Sequence, residues 1–266
     1  MRIVRTIAEV RDALGPASER GARIGLVPTM GAFHDGHRAL MRAARQVSDV
    51  VVVSLFVNPA QFNAPDDLAR YPRDEERDAR DAETEAVDLL FAPTTDELYP
   101  AGLDTWVDPG ELATTLEGAA RPGHFRAVAT VCVKLFSIVR PAAAWFGQKD
   151  AQQIAVVRGV VADLNLDLEI VALPTVRDAD GLALSSRNVF LSPAERTAAL
   201  ALPRALEAGD EAHRRGDDPV AAARAGLQSA GAAVDYVAVA DFDGPTLVAA
   251  IQVGTTRLID NVRLDG

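Results

Sequence analysis

The chain has 266 residues, 48% of them hydrophobic and 24% charged, so it is long enough to bury a full core in one large domain or two unequal ones. Its formal net charge of −11 at pH 7 argues against a general nucleic-acid-binding protein, because such a protein presents a basic face to phosphates. A small anionic ligand is still allowed, since a local cluster of Arg, Lys and His can hold it.

Cysteine use and hydropathy indicate the compartment. The single cysteine, Cys132, cannot form an intramolecular disulfide, which favours a reducing environment. Its apolar neighbours favour a buried apolar residue over a catalytic thiol. The longest strongly apolar run, 50–57, is far too short to span a membrane, and the N-terminus lacks the apolar core of a signal peptide. We therefore expect a cytoplasmic protein that binds no membrane.

The first two thirds of the chain alternate between short apolar runs and helical patterns. Thr6 and Glu9 form the capping-box pattern that opens a first helix. The predicted strands are 24–27, 50–57, 89–91, 144–146 and 168–171. The predicted helices are 37–47, 73–86, 128–139 and 151–164. This alternation predicts an α/β domain with a mostly parallel sheet and helices on both faces.

The composition changes after Pro174. Ser192, Pro193 and Glu195 have the pattern of a capped helix start, and an Ala-rich helical stretch follows. Three strand-like runs, 234–239, 248–253 and 256–259, complete the chain. We expect a first domain over 1–175 and a smaller α+β domain over 176–266.

The most informative segment, Pro-Thr-Met-Gly-Ala-Phe-His-Asp-Gly-His at 28–37, lies where the strand 24–27 turns into a helix. Ligands bind at such junctions in α/β sheets. Gly31 and Gly36 permit a close approach of the backbone to a ligand. Free N–H groups at the helix start favour an anion, so we expect a nucleotide phosphate here.

The segment has the spacing of a P-loop, but His37 replaces its Lys and Arg38 its metal-binding Ser or Thr. The imidazoles of His34 and His37 are suited to donating hydrogen bonds to phosphate oxygens. Two ordinary polar loop residues, or half of a metal site, are the alternatives.

Two more polar loops follow predicted strands. Asn58 and Gln61 come after the strand 50–57, and their amides can orient hydroxyl, carboxylate or amine groups without adding charge; an ordinary Asn-Pro turn is the alternative. Lys149 and Asp150 come after the strand 144–146. The lysine can meet phosphates, and the aspartate either caps a helix or binds a ribose hydroxyl.

Two loops carry guanidinium groups. Arg121, His124 and Arg126 form either an anion-handling loop or a solvated basic turn. The segment 184–188, Leu-Ser-Ser-Arg-Asn, is able to close over a triphosphate, although Ser-Ser-Arg is also a common exposed triplet. One nucleoside-triphosphate site would explain all of these loops together.

In this order and combination, the segments resemble the pantoate–β-alanine ligase (pantothenate synthetase) family over essentially the whole chain. The matching segments are 28–37, 56–62, 71–73, 121–126, 146–150, 152–153 and 177–188. The resemblance implies a Rossmann-like N-terminal domain, a smaller C-terminal lid domain and a homodimer. It also implies condensation of pantoate with β-alanine through a pantoyl adenylate, using ATP as a substrate with Mg²⁺.

The resemblance also assigns site residues. ATP contacts fall on Met30, Gly31, Ala32, Phe33, His34, Asp35, Gly36, His37, Gly147, Gln148, Lys149, Asp150, Val176, Leu184, Ser185, Ser186 and Arg187. Catalytic roles fall on His34, His37, Lys149 and Arg187. Contacts to pantoate or β-alanine fall on Gln61, Gln153 and Asn58, while Arg121 and His124 match site positions without a defined role.

Two residues depart from the family pattern, and the resemblance leaves the metal ligands unassigned. Ala127 and Ala151 stand where the family pattern leads us to expect Gly and Tyr, although neither change removes a proposed catalytic group. No metal ligands are assigned: Asp78 and Asp81 share a helix face, and a solvated surface is the expected setting for both. Another adenylyl-transferring enzyme of the nucleotidylyltransferase superfamily, or a catalytically silent nucleotide-binding regulator, remain as alternatives.

Overall fold

The computed structural model describes residues 1–264. Its internal contacts divide the chain into two compact units. The first comprises Met1–Gly147 and Gln152–Leu173, and the second comprises Gln148–Ala151 and the chain from Pro174 onward. This division differs from the single boundary expected near residue 175, because four residues after the fifth strand already belong to the second unit.

The first unit is built on a six-stranded parallel sheet with strand order β1-β4-β3-β2-β5-β6. The strands are β1 Arg2–Val4, β2 Ile24–Thr29, β3 Val50–Leu55, β4 Leu89–Phe91, β5 Ala143–Gly147 and β6 Glu169–Leu173. The helices are α1 Ile7–Glu19, α2 Asp35–Val47, α3 Pro65–Arg70, α4 Glu75–Thr84, α5 Thr95–Leu98, α6 Glu117–Ala120, α7 His124–Val139 and α8 Ala151–Asp163. The predicted parallel α/β architecture is confirmed, whereas the three-residue strand β1 was not predicted.

Helices cover both faces of this sheet because its strands are apolar on both sides. Leu26 and Val52 belong to one buried cluster, which includes residues of α1, α7 and α8. Their chain neighbours Val27 and Val53 belong to another, with residues of α2 and α4. Such continuous apolar runs are typical of strands in a parallel sheet buried on both faces. Helix α1 begins with the predicted capping box, in which the Glu9 N–H donates to Thr6 Oγ1.

The second unit packs three helices, α9 Pro193–Ala199, α10 Ala201–Arg214 and α11 Pro219–Ser229, with an antiparallel sheet. Its strands are β7 Ala233–Asp241, β8 Pro245–Val253 and β9 Thr256–Arg263, in the order β7-β8-β9. The predicted α+β character is confirmed. Strand β9 runs past the predicted end at residue 259 through two buried polar residues, Asp260 and Asn261, which an apolar pattern does not detect.

The topology explains where a ligand site forms in the first unit. From β2 the chain moves to β3 and β4 on one side, and later to β5 and β6 on the other. The carboxyl end of β2 is therefore a topological switch point, where parallel α/β sheets bind ligands. Among the described residues, no helix is both long and apolar enough to cross a membrane.

Candidate active site

The segment 30–37, which we call the histidine loop, connects β2 to α2 at this switch point. Helix α2 begins at Asp35, two residues earlier than predicted, with His34 as its N-cap. Gly31 has a φ of +86°, and a Cβ there would lie 2.8 Å from Leu55 and 2.9 Å from Asp78. A Cβ at Gly36 would lie 2.9 Å from the His34 ring. A side chain at either position would therefore displace one of these neighbouring side chains, whether or not a ligand is bound.

A buried carboxylate on α4 holds the backbone of the histidine loop. The N–H groups of Ala32 and Phe33 donate to Oδ2 and Oδ1 of Asp78, each at 2.8 Å. Asp78 is only 2% exposed, so the expected solvated setting is wrong for this residue. Burial raises the pKa of Asp78, and its two backbone hydrogen bonds oppose that rise in part. Asp81 instead pairs with Arg38 at 3.1 Å.

The imidazoles satisfy two more N–H groups of the loop. Nδ1 of His34 accepts from the Gly36 N–H at 3.2 Å, and Nδ1 of His37 accepts from the His34 N–H at 3.3 Å. These two N–H groups are therefore already paired within the protein, and anion binding at the helix start stays a prediction. A neutral imidazole that accepts at Nδ1 carries its proton at Nε2. His34 and His37 have ring centroids 4.1 Å apart, and an imidazole Nε2–H is a type of donor suited to a phosphate oxygen.

The segment 58–61, which we call the amide loop, follows β3, the strand that pairs with β2. Asn58 is 1% exposed and organises it. Its Oδ1 accepts from the Ala60 N–H, and its Nδ2 donates to Gln61 Oε1 at 2.9 Å and to the Ala127 carbonyl at 3.3 Å. The Gln61 amide is thereby oriented through its oxygen. Within residues 1–264 its Nε2 has no hydrogen-bond partner, so it can donate to a hydroxyl or carboxylate.

Arg121 and His124 hold the backbone of the amide loop. Arg121 Nη2 donates to the Gln61 carbonyl at 3.0 Å, and His124 Nδ1 lies 3.2 Å from the same oxygen. His124 Nε2 is 3.1 Å from Arg121 Nη1, which can only donate, so His124 carries its proton at Nδ1 and donates to Gln61. The alternative of a solvated basic turn is wrong for these two residues. Arg126 lies over the Trp106 ring, 5.0 Å from its centroid.

Two adjacent glutamines of α8 differ in their hydrogen bonding. Gln152 is buried: its Nε2 donates to the carbonyls of Leu112 and Thr115, and its Oε1 accepts from the Glu117 N–H. Gln153 is half-buried, and its side chain makes no hydrogen bond to any residue in the described part of the chain. Gln152 is therefore a structural residue, and Gln153 can bind a ligand.

The predicted ATP residues in the second unit fall in two segments. Lys149, in the turn Gln148–Asp150, has its Nζ 3.6 Å from Asp150 Oδ1. Val176 and Leu184 meet through a backbone hydrogen bond of 3.0 Å from the Leu184 N–H. Ser185 caps the short helix Ser186–Phe190, since its Oγ accepts from the Arg187 N–H. Gly147 ends β5 in the first unit.

A cavity of about 420 Å³ opens at the carboxyl ends of β1 to β4 in the first unit. Of the predicted ATP residues it is lined by Met30 and Gly31, together with Asp78. Arg73, a residue of the matching segment 71–73, also lines it, and its guanidinium donates to the carbonyls of Tyr71 and Leu68. The loop-holding role of Asp78 has no local sequence signal and was not predicted, and the motif that contains Arg73 gave no role for it.

The structure also tests two other candidate groups. From Met1 to Leu264, no three His, Cys, Asp or Glu side chains are grouped so that they could hold a metal ion. The Cys132 thiol is buried, and burial raises its pKa to about 12, so it is a poor nucleophile. The expectation of a buried apolar cysteine is confirmed.

Comparison with known proteins decides the family. A family model described as pantoate-beta-alanine ligase matches residues 2–263, essentially the whole chain. The chain belongs to the pantoate–β-alanine ligase family. It is 50% identical over 280 residues to the pantothenate synthetase of Moorella thermoacetica, covering 100% of this chain and 99% of that protein.

Solved structures of this family have the same fold. The pantothenate synthetase of Thermus thermophilus superposes with a TM-score of 0.93 at 44% identity, covering 99% of each chain. The pantoate-beta-alanine ligase of Francisella tularensis, described as complexed with beta-gamma ATP and beta-alanine, gives a TM-score of 0.89 at 34% identity, covering 100% of this chain and 98% of that one. The resemblance seen in the sequence motifs is confirmed at the level of family and fold.

Proposed function

We propose that this protein condenses pantoate with β-alanine to form pantothenate, with ATP as the energy source. The observation that carries the proposal is the family match over residues 2–263. In the first step, a carboxylate oxygen of pantoate attacks the α-phosphorus of ATP, and the bond to the β-phosphate oxygen breaks to release pyrophosphate. In the second step, the amine of β-alanine attacks the acyl carbon of pantoyl adenylate, loses a proton and displaces AMP.

The histidine loop suits the first step. Charge develops on the phosphoryl oxygens and the departing pyrophosphate as the carboxylate attacks. Nε2–H groups of His34 and His37 are donors already held in place by their Nδ1 contacts, so little reorganisation is needed when that charge forms. We assign His37 as the charge stabiliser or proton donor, and His34 as a phosphate contact.

The amide loop suits the pantoate. Gln61 has an oriented amide whose Nε2 is available to a hydroxyl or carboxylate, and Gln153 has an uncommitted amide in the same unit. Neutral amides match a small hydroxy acid without adding charge beside its carboxylate. We assign pantoate to Gln61 and Gln153, and later β-alanine to Gln61. Because both Nδ2 hydrogens of Asn58 are donated to Gln61 and Ala127, we assign it to orienting Gln61 rather than to donating to substrate.

The remaining assignments follow the family pattern. Lys149, Ser185, Ser186 and Arg187 are proposed contacts to the ATP phosphates, a role that suits ammonium, hydroxyl and guanidinium groups. Since the described residues offer no cluster of metal ligands, Mg²⁺ would be held mainly by phosphate oxygens and water, as Mg²⁺ sites on nucleotides usually are. We also propose a homodimer in the cytoplasm, and sedimentation analysis of the purified protein tests the dimer.

Pyrophosphate release tests the proposed function most directly. Purified protein with ATP, Mg²⁺ and pantoate should release pyrophosphate and accumulate pantoyl adenylate without β-alanine, and adding β-alanine should then produce AMP and pantothenate. A protein that adenylylates a mononucleotide instead would release pyrophosphate only with that mononucleotide. A silent regulator would bind ATP but release no pyrophosphate with pantoate or with a mononucleotide. Either of these two outcomes would reject the proposed function.

A further inference from the structure

Two neighbouring polar residues of β9, Asp260 and Asn261, are buried although no motif includes them. Their exposed fractions are 3% and 5%. Polar side chains are stable at such depth only when their hydrogen bonds are satisfied. Because successive side chains of a strand point to opposite faces of the sheet, we expect the two residues to serve different partners.

Asn261 holds the segment that carries Lys149. Its Nδ2 donates to the carbonyl of Gln148 at 2.8 Å and to the carbonyl of Lys149 at 2.9 Å. Both N–H bonds of the amide are therefore used, and one side chain fixes two consecutive carbonyls of the turn Gln148–Asp150. This fixes the orientation of the backbone from which the Lys149 side chain extends.

Asp260 binds near the start of the second predicted ATP segment, 176–187. It forms a bidentate pair with Arg177, at 2.6 Å from Nη1 to Oδ2 and 3.1 Å from Nη2 to Oδ1. Arg177 Nη1 also donates to the Gly181 carbonyl at 3.2 Å, and the Arg177 backbone forms an antiparallel bridge with Ala183. Asp260 thus binds Arg177, whose own contacts bring together the two ends of the turn 177–183. This turn leads into residues 185–187.

We propose that Asp260 and Asn261 are positioning residues for the triphosphate of ATP. One strand holds two predicted ATP segments, 148–150 and 176–187, at a fixed separation, so that the Lys149 and Arg187 side chains start from set positions. Neither β9 residue contacts ATP in this proposal, since each acts through a segment that it binds. The inference rests on the proposed function, because that function makes ATP the ligand of these segments.

Steady-state kinetics of Asn261→Leu test the proposal. Leucine has a similar size but no donor, so both carbonyl contacts are lost, and we expect KM for ATP to rise about 10-fold, the effect of roughly one net hydrogen bond. KM for pantoate should not change. Gln252→Leu is the matched control, because Gln252 is an amide of the same sheet whose donor contact among residues 1–264 is to the Gly254 carbonyl. An unchanged KM for ATP in Asn261→Leu, or an equal rise in both KM values, overturns the proposal.

If Asn261→Leu does not fold, hydrogen exchange of the native protein tests the positioning role of β9. Saturating ATP should slow exchange together in residues 148–151, 177–184 and β9, and an ATP-insensitive β9 overturns the positioning role. The proposed function and the positioning role of β9 can be rejected by different results. A native protein that releases no pyrophosphate with ATP and pantoate rejects the proposed function, whereas an active native protein with an ATP-insensitive β9 rejects only this inference.

Discussion

The histidine loop and the amide loop follow paired neighbouring strands, yet the protein supports them in different ways. In the histidine loop, the imidazoles proposed to contact phosphate also accept backbone N–H groups through Nδ1. In the amide loop, other residues hold the structure: Asn58 orients Gln61, while Arg121 and His124 bind the Gln61 carbonyl.

The proposed catalytic groups therefore also support the loop conformation in the histidine loop, whereas ligand binding and loop support are largely separable in the amide loop. Substituting a histidine removes both a donor to the ligand and a support of its own loop. Substituting Gln61 removes Nε2, which supports nothing among residues 1–264, and Oε1, which accepts one of the several hydrogen bonds of Asn58. The expected result is a combined loss of turnover and loop order in the histidine loop, and mainly a loss of substrate affinity in the amide loop.

The largest effect is expected for His37→Ala. It removes the proposed donor to the developing phosphate charge and the acceptor of the His34 N–H. We expect kcat to fall about 100-fold or more, as when one preorganised donor to a transition state is lost. Pantoate-dependent pyrophosphate release measures this. His213→Ala, on α10 of the second unit, is the control that should keep full activity, and a nearly unchanged kcat in His37→Ala would remove His37 from the mechanism.

Asp78→Asn should have the next largest effect, because it disturbs the histidine loop without touching a histidine. An amide offers one acceptor oxygen, so its NH₂ group faces the N–H of Ala32 or Phe33. Losing a hydrogen bond to a charged group costs about 1.5–3 kcal/mol, so we expect kcat/KM to fall at least about 10-fold. Asp81→Asn, one turn further along α4, should change stability by only about 0–1 kcal/mol, because it breaks a partly exposed pair with Arg38. Equal behaviour of the two variants in urea unfolding and kinetics would contradict the role of Asp78.

These two regions also show what could be predicted from the sequence. The apolar run at 50–57 predicts a strand because a strand buried on both faces is almost continuously apolar, and β3 ends two residues earlier, at Leu55. The glycines and histidines of 30–37 predict a site because few other functions need those residues at a strand end. Family motifs then identify the chemistry.

The supports of the site could not be predicted, for a physical reason. Asp78 is one of several acids on α4, and nothing local shows that this carboxylate accepts from a backbone 46 positions earlier. The Gln61 carbonyl, which binds Arg121 and His124, is a backbone group that every residue possesses. Likewise, residue type alone does not distinguish Gln152 from Gln153: the family resemblance selects Gln153 as a substrate contact, but only the fold shows that Gln152 meets the carbonyls of Leu112 and Thr115.

Gln61→Leu tests whether substrate binding and loop support are separable in the amide loop. The loss of the Nε2 donors should raise KM for pantoate about 10-fold, the equivalent of roughly one hydrogen bond to a charged or polar ligand. The melting temperature should fall only slightly, because Asn58 Nδ2 loses Gln61 Oε1 but keeps its bond to the Ala127 carbonyl. Gln152→Leu provides the opposite result: it removes three hydrogen bonds, including the one accepted from the buried Glu117 N–H, which lowers the free energy of unfolding by about 1–3 kcal/mol. A Gln61 variant that melts as early as the Gln152 variant would show that the amide loop is also coupled to the fold.

Arg121→Met should have the smallest effect, because the Gln61 carbonyl has two donors. His124 Nδ1 still binds this oxygen after the guanidinium is lost, so the amide loop stays in place while its backbone becomes less restricted. We expect KM for pantoate to rise about 3-fold, which corresponds to a net hydrogen bond at the weak end of the usual range. Arg126→Met is the matched control, since that guanidinium packs on Trp106 and should leave KM unchanged. A large fall in kcat with unchanged KM for pantoate would instead mean that Arg121 acts on the reacting groups, and the amide loop would then resemble the histidine loop in coupling support to catalysis.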